Sequence, residues 1–397
     1  MDADEEGDIL MKHKYIAKRY WKDATTPMGQ SDVLAKQYSD VIDLSLGDPD
    51  LVTDDIIIEN ALKDAKQGHT KYTDFRGDIE LRNEIRKYYR EEYQLELEDK
   101  EVMVVTSGCL GMYLALEAII DDGDEVIIHQ PCFTPYMQQI ELARGVPVIL
   151  DTYEHEDFQI SINRLEQLIT ERTKAIIINS PNNPTGICFT KETLEKVAAI
   201  AKQYDLVVIA DDIYGLYSFE EPFIPISTLE EMKERTITIN SFSKDFTMTG
   251  WRIGNVLAPA YIIKTMQQIN ENVVFTAPSI SQRGAIYALR HRKEIQPRML
   301  EEYKKRVFYA ADWINKISNM SVLKPRGTFY LFANIKKTGL SSAEAANRIL
   351  HEAHVLTLPG TAFGNCGEGY IRLACTCTTD KLREAFERIS KMDIFRD

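Results

Sequence analysis

Short apolar runs alternate with longer amphipathic stretches through the middle of the chain, from about residue 101 to residue 258. The runs are rich in β-branched residues and occupy 102–105, 125–130, 146–150, 174–180, 206–211, 236–241 and 255–258. The stretches between them, such as 190–205, carry apolar residues at helical spacing. Because the runs are apolar almost throughout, we expect strands buried on both faces. This pattern predicts a three-layer α/β fold, in which helices sandwich a mainly parallel sheet.

The pattern changes after about residue 290. A long helical stretch at 293–317 leads to "GTFYLFANI" at 327–335, a helical stretch at 342–353, "GYIRLAC" at 369–375 and a last helix. These elements predict a smaller α+β domain that is completed by the N-terminal segment. We therefore expect 1–47 to be an arm and part of the small domain, 48–290 the large domain, and 291–397 the remainder of the small domain.

Composition excludes several classes of function. The 397 residues include 47 basic and 61 acidic side chains, and the net charge of −14 argues against nucleic acid or a membrane surface as partner. The apolar runs are far shorter than a membrane span. The N-terminus lacks a signal-peptide pattern, and the six cysteines form no CxxC pair, so we expect a cytoplasmic protein. The seven histidines show no metal-ligand spacing, and we expect no metal site.

Polar and aromatic residues follow the ends of five predicted strands. They are Ser107 and Gly108; Phe133; Asn183; Asp211 and Tyr214; and Ser241, Ser243 and Lys244. Each group has a structural explanation of its own, such as a turn in "NNPTG" or a helix start after "SG". However, ligands of open α/β sheets bind outside the carboxyl ends of the strands. Five groups at one edge therefore predict a common binding site.

The residue types at this edge indicate the ligand. Gly108 opens a helix whose N–H groups suit a phosphate, and Ser241, Ser243 and Arg252 add hydroxyls and a guanidinium. Phe133 offers a flat face for a ring. A carboxylate at Asp211 suits a protonated ring nitrogen, Tyr214 suits a ring oxygen, and the Lys244 amine can condense with an aldehyde. Together these groups describe pyridoxal 5′-phosphate.

Ten segments, in the same order along the chain, resemble those of the class I/II aminotransferases, which are pyridoxal-phosphate enzymes of fold type I. They are "LSLGDPD" (44–50), "KYTDFRG" (71–77), "VTSG" (105–108), "PCFTPY" (131–136), "NSPNNPTG" (179–186), "ADDIYG" (210–215), "SFSKDFTMTGWRIG" (241–254), "GTFY" (327–330), "PGTAFG" (359–364) and "GEGYIRLA" (367–374). The resemblance covers nearly the whole chain. It implies transfer of an amino group from an L-amino acid to a 2-oxoacid.

The resemblance also implies a role for individual residues. Lys244 would bind the cofactor as a Schiff base, Asp211 would pair with its ring nitrogen, and Tyr214 would act with Asn183 on its ring oxygen. Phe133 would stack on the ring. The phosphate would be bound by Ser107, Gly108, Cys109, Ser241, Ser243, Arg252, and Tyr72 of a partner subunit, which implies a homodimer. The substrate α-carboxylate would be bound by Arg372, with Asn183 and the backbone of Gly47.

The substrate side chain is less well defined. Some aspartate-using relatives carry a lysine in the phosphate loop, where this chain has Cys109. No second basic residue is assigned by sequence to the side-chain pocket. This favours a neutral or aromatic amino acid as the donor.

Three alternatives remain at this stage. A lyase acting on an amino acid, for example on its C–S bond, would use the same lysine and aspartate. A serine acyl enzyme could use the SxxK pattern of 241–244 with "KTG" at 337–339, although no SDN-type element lies between them. A non-catalytic sensor could retain the fold, but the chain has no room for an added DNA-binding module.

Overall fold

A computed structural model describes residues 13–21 and 37–396. Its strands are β1 (Ile42–Asp43), β2 (Val102–Val105), β3 (Glu125–Gln130), β4 (Val146–Asp151), β5 (Thr173–Asn179), β6 (Val207–Asp211), β7 (Thr236–Ser241), β8 (Gly254–Leu257), β9 (Tyr330–Asn334), β10 (Val355–Leu356), β11 (Leu358–Pro359) and β12 (Tyr370–Ala374). Its helices are α1 (Asp55–Lys66), α2 (Ile79–Tyr93), α3 (Gly108–Ile119), α4 (Pro135–Leu142), α5 (Ile162–Leu168), α6 (Lys191–Gln203), α7 (Phe242–Asp245), α8 (Ala260–Val273), α9 (Ser279–Arg290), α10 (Arg292–Ile314), α11 (Ser342–Ala353) and α12 (Thr379–Ile389).

The central sheet has the strand order β2-β8-β7-β6-β5-β3-β4. Strand β8 is antiparallel to both of its neighbours, and the remaining pairings in this sheet are parallel. Each of these strands lies where the apolar runs predict one. The predicted mainly parallel sheet is confirmed.

Alternate residues of the central strands pack on opposite helix layers. In β5, Ile177 belongs to an apolar cluster with Met112 of α3, whereas Ile176 and Ile178 pack with Val197 of α6. This follows from the pleat, which sends successive side chains to opposite faces of a sheet. Both faces of β5 are covered, and residues 175–178 of this strand are accordingly all apolar.

The C-terminal part contains a three-stranded antiparallel sheet in the order β11-β12-β9. The short strand β1 pairs in parallel with β10, with Ile42 opposite Val355, so the chain before the large sheet packs beside the C-terminal elements. Helix α10 contacts two apolar clusters: Ile295 lies with α2 and α9, whereas Tyr303 and Ile314 lie with β9 and α12. This helix therefore packs against both the central sheet and the C-terminal sheet.

In the described ranges, no helix is long and apolar enough to cross a membrane.

Candidate active site

A cavity of about 490 Å³ lies where the central strands end and the C-terminal sheet faces them. We call it the central cavity. Of the residues that the sequence predicts for the site, all but Tyr72 line it: Gly47, Ser107, Gly108, Cys109, Phe133, Asn183, Asp211, Tyr214, Ser241, Ser243, Lys244, Arg252 and Arg372. Segments far apart in sequence thus converge on one space.

One corner of the cavity is suited to an anion. Helix α3 begins there, and its N-cap Ser107 accepts a hydrogen bond from the Leu110 N–H at 3.1 Å. The Ser243 N–H donates to Ser241 Oγ at 3.1 Å, and the two hydroxyls lie 2.9 Å apart. Arg252, at a left-handed φ of 54°, directs Nη1 to the Thr249 carbonyl at 2.7 Å. N–H groups, hydroxyls and a guanidinium together can bind a phosphate.

Lys244 lies on the single helical turn α7, directly after β7. Its Nζ donates a hydrogen bond to the Gly47 carbonyl at 2.6 Å. Burial, helped by the cations Arg252 and Arg372 and opposed by Asp48, lowers the pKa of Lys244 to about 8. A larger fraction of this amine is therefore neutral, and nucleophilic, near physiological pH than for an ordinary lysine.

Asp211 ends β6 and is held by one group from helix α4 and one from the neighbouring strand β5. The Tyr136 hydroxyl donates to its Oδ2, and Asn179 Nδ2 donates to its backbone carbonyl at 2.9 Å. Burial raises the pKa of Asp211 to about 6, and the Tyr136 hydrogen bond opposes that rise. A cation placed against this carboxylate would be strongly favoured, because the group has little contact with water.

Arg372 on β12 is buried and forms a second anion-binding position. Its Nη1 donates to Asn183 Oδ1 at 3.1 Å, and its Nη2 donates to the Ser45 carbonyl. The guanidinium lies between two rings, 4.5 Å from the Tyr330 centroid and 4.7 Å from that of Phe363. Nε has no hydrogen-bond partner in the described chain. The planar fork is thus fixed in orientation before a ligand binds.

Sequence reasoning missed several residues of this site, including Tyr136, Tyr330 and Asn179. Tyr136 and Tyr330 line the central cavity and contact predicted site residues, and Asn179 accepts the Asn183 N–H at 3.0 Å. Asn179 lies at the end of a predicted strand, so it was within reach of the strand-end rule. Tyr330 lies within the segment "GTFY" but begins β9, so this rule does not reach it. Tyr136 lies on a helix, and only the tertiary packing brings its hydroxyl to Asp211.

Tyr72 lies outside the central cavity of its own chain. Its side chain is 81% exposed and makes an edge contact with Phe275 at 4.8 Å between centroids. The single chain therefore leaves its predicted role untested. Cys109 is in the predicted place, and its backbone carbonyl accepts a hydrogen bond from Gln139 Nε2 at 2.9 Å.

Comparison with known proteins places the chain in a family. The sequence profile of "Aminotransferase class I and II" matches residues 39–389. The chain belongs to the class I and II aminotransferases. It is 38% identical to an aspartate aminotransferase of Pyrococcus abyssi and 36% identical to an aromatic-amino-acid aminotransferase of Thermococcus litoralis, in each case over 90% of this chain and 93% of the relative.

A solved structure agrees with this assignment. The aromatic aminotransferase of Pyrococcus horikoshii superimposes with a TM-score of 0.87 at 36% identity, over 91% of this chain and 98% of that one. The protein is thus an enzyme that transfers amino groups between amino acids and 2-oxoacids, and its cofactor is pyridoxal 5′-phosphate.

The central cavity fits this cofactor. It provides separate groups for an aldehyde, for a phosphate and for a ring nitrogen, namely the Lys244 amine, the corner at helix α3, and the buried Asp211 carboxylate. Arg372 remains available for the carboxylate of a substrate.

Proposed function

We propose that Lys244 binds the cofactor aldehyde as a Schiff base and later moves a proton at the substrate α-carbon. The observation that carries this assignment is a half-buried amine directed into the cavity that Asp211 and Arg372 also line. A pKa of about 8 is closer to neutral pH than that of a free lysine, and this makes the amine an effective general base. When bound, pyridoxal 5′-phosphate supplies an electron-accepting ring that delocalises the charge left by the departing proton.

The remaining groups would hold and orient the cofactor. Asp211 keeps a negative charge facing the ring nitrogen, and Tyr136 and Asn179 fix its position. Tyr214 and Asn183 would donate to the ring oxygen, and Phe133 would cover one face of the ring. The groups that would hold the phosphate are those of Ser107, Gly108, Cys109, Ser241, Ser243 and Arg252.

Arg372 would bind the substrate α-carboxylate through two parallel hydrogen bonds, next to Asn183 and Gly47. Its unpartnered Nε and its position between two rings support this role, because the fork is already aligned. A bidentate contact fixes the rotation of the substrate about its Cα and so selects which bond faces Lys244.

The amino donor we propose is neutral or aromatic. Three basic side chains line the central cavity within the described chain, Lys244, Arg252 and Arg372, and each already has a role. The rest of the wall includes Leu46 and Ile213, and the acidic Asp48 disfavours a second carboxylate. The aromatic-amino-acid relative of Thermococcus litoralis is consistent with this choice, whereas the aspartate-named relatives argue for testing it.

The assembly we propose is a homodimer in the cytoplasm, in which Tyr72 reaches the phosphate of the partner's cofactor. The exposure of Tyr72 beside Phe275 supports a contact with a second chain. Six free thiols suit a reducing compartment. The division at residues 47 and 290 also remains a proposal, and the pairing of β1 with β10 supports its first boundary.

The test is a panel of amino acids assayed with 2-oxoglutarate as acceptor. We expect kcat/KM for phenylalanine or leucine to exceed that for aspartate by at least about tenfold. The reason is that burying the side-chain carboxylate of aspartate against an apolar wall is unfavourable. Preference for aspartate would refute the substrate class. Catalytic release of pyruvate and ammonia without an acceptor would instead indicate a lyase.

A further inference from the structure

Tyr330 lies where the two halves of the site meet. It begins β9 and is 3% exposed, and its side chain lines the central cavity together with residues of the central sheet. The sequence alone predicts no role for Tyr330 in the segment "GTFY".

The hydroxyl of Tyr330 lies 3.1 Å from the hydroxyl of Tyr214, and either oxygen can donate. Within residues 13–21 and 37–396, no other hydrogen bond reaches the Tyr214 hydroxyl. Tyr214 is 5% exposed, so water does not readily replace a lost partner. The orientation of the Tyr214 proton therefore depends on Tyr330.

The ring of Tyr330 has a second contact. The Arg372 guanidinium lies over its face at 4.5 Å, a distance at which the ring and the cation attract each other. Tyr330 also packs closely against the backbone of Gly47, because a Cβ added at Gly47 would lie 1.5 Å from the Tyr330 hydroxyl oxygen. One side chain thus contacts the carboxylate-binding arginine, the ring-oxygen donor and the backbone that receives Lys244.

We propose that Tyr330 is a positioning residue of the site: its hydroxyl donates to Tyr214, which turns the Tyr214 proton toward the cofactor's ring oxygen, while its ring holds Arg372 in a carboxylate-binding orientation. This inference rests on the roles proposed above for Tyr214 and Arg372.

The direction of the hydrogen bond follows from the acceptor. A Tyr214 hydroxyl that donates to the cofactor oxygen has only its own lone pairs left for Tyr330, so Tyr330 is the donor of the pair. A donor to the Tyr214 oxygen strengthens the outward donation of Tyr214, because hydrogen bonds in a chain polarise one another. Burial raises the pKa of Tyr330 and Arg372 opposes that rise, which leaves the phenol protonated and able to donate.

The test substitutes Tyr330→Phe, which keeps the ring and removes only the hydroxyl. The visible absorbance of the cofactor-loaded protein is titrated against pH, without substrate. We expect the midpoint pH of this titration to be higher in Tyr330→Phe than in the wild type by roughly half to one pH unit. The reason is that the negative ring oxygen loses part of its hydrogen bonding. The dissociation constant for pyridoxal 5′-phosphate, measured on cofactor-free protein, should rise roughly three- to tenfold.

The matched control is Tyr303→Phe. Tyr303 is buried in the same apolar cluster, but its hydroxyl donates to Asp50 at 3.2 Å and lies outside the central cavity. This variant should titrate as the wild type does, whatever its thermal stability.

The ring contact is tested with Tyr330→Leu and a non-reacting carboxylate, 3-phenylpropanoate. We expect binding of this probe to weaken at least about tenfold in Tyr330→Leu and less than about twofold in Tyr330→Phe. If Tyr330→Leu does not fold, the Phe variant alone decides. An unchanged midpoint in Tyr330→Phe would overturn the proposal, whereas absence of a cofactor band in the wild type would overturn the proposed function instead.

Discussion

Lys244 shows how a single residue acquires its chemistry from its surroundings. An amine on a flexible stem is charged at neutral pH in water. Here the amine is largely buried and lies near two arginines, so its pKa falls to about 8. The sequence predicts the position of this lysine, because the strand and its small polar neighbours are local features. The lowered pKa depends first on burial of the amine and then on charges such as Arg372, 128 positions later, so it follows only from the tertiary fold.

This burial predicts a stability effect in the cofactor-free protein. The folded pKa of Lys244 lies below the unfolded value, so the cost of burying the charge is fully present below about pH 8. Lys244→Met should therefore raise the free energy of unfolding at pH 7 by roughly 1–2 kcal/mol, allowing for its partial exposure and the lost hydrogen bond. The gain should vanish as the pH approaches about 10.5. Urea unfolding at both pH values checks it; a loss of stability at pH 7 would contradict the account.

Arg372 permits a test that retains charge. Arg372→Lys keeps a cation but loses the planar fork, so KM for both the amino acid and the oxoacid should rise roughly 10- to 100-fold. Arg306→Lys is the control, because Arg306 is also buried but pairs with Asp50 and Glu302 outside the cavity. It should lower thermal stability and leave KM near the wild-type value. Equal KM values in all three proteins would exclude Arg372 from carboxylate binding.

At the scale of elements, strands and the residues after them are the predictable part. The runs at 102–105, 125–130 and 236–241 match β2, β3 and β7 in both limits, because buried strands are rich in apolar and β-branched residues. The rule that ligands bind at strand ends then found most of the cavity. It could not find Tyr136, which reaches Asp211 from helix α4, because helical spacing does not show which neighbour a side chain meets.

Ser107, at the start of helix α3, could stabilise the helix, bind the cofactor phosphate, or do both, and two substitutions distinguish these roles. Ser107→Ala removes the N-cap hydrogen bond to Leu110, which should lower the free energy of unfolding by about 1 kcal/mol. Thr190→Ala removes the equivalent N-cap of α6, in which Thr190 Oγ1 accepts a hydrogen bond from the Thr193 N–H at 3.1 Å. The free energy of unfolding should fall by a similar amount. Only Ser107→Ala should also weaken pyridoxal 5′-phosphate binding, as measured by titration of cofactor-free protein. Equal binding by both variants would limit Ser107 to capping.

At the scale of the whole molecule, the site requires two distant parts of the chain. The central sheet supplies Asp211 and Lys244, and the C-terminal sheet supplies Tyr330 and Arg372. Helix α10 spans the apolar clusters of both parts and holds them together. Sequence patterns predict each part, but the contacts between them, such as Tyr330 with Tyr214, arise from packing that no local pattern specifies.

A subunit-mixing experiment tests whether the site also requires a second chain. Tyr72→Ala and Lys244→Ala should each be impaired, but a mixed dimer would contain one site with both residues intact. Refolding the two variants together in equal amounts should restore up to about a quarter of the wild-type sites. Each variant refolded alone is the control. No recovery, with mixed dimers present, would mean that Tyr72 acts within its own chain or not at all.

The most direct test that amino-group transfer depends on Lys244 is a single half-reaction followed by visible absorbance. Cofactor-loaded protein is mixed with one amino acid and no acceptor, and released oxoacid is counted per subunit. We predict loss of the visible band with one equivalent of oxoacid, and no loss in Lys244→Ala. A persistent band with continuing release of oxoacid and ammonia would contradict the account.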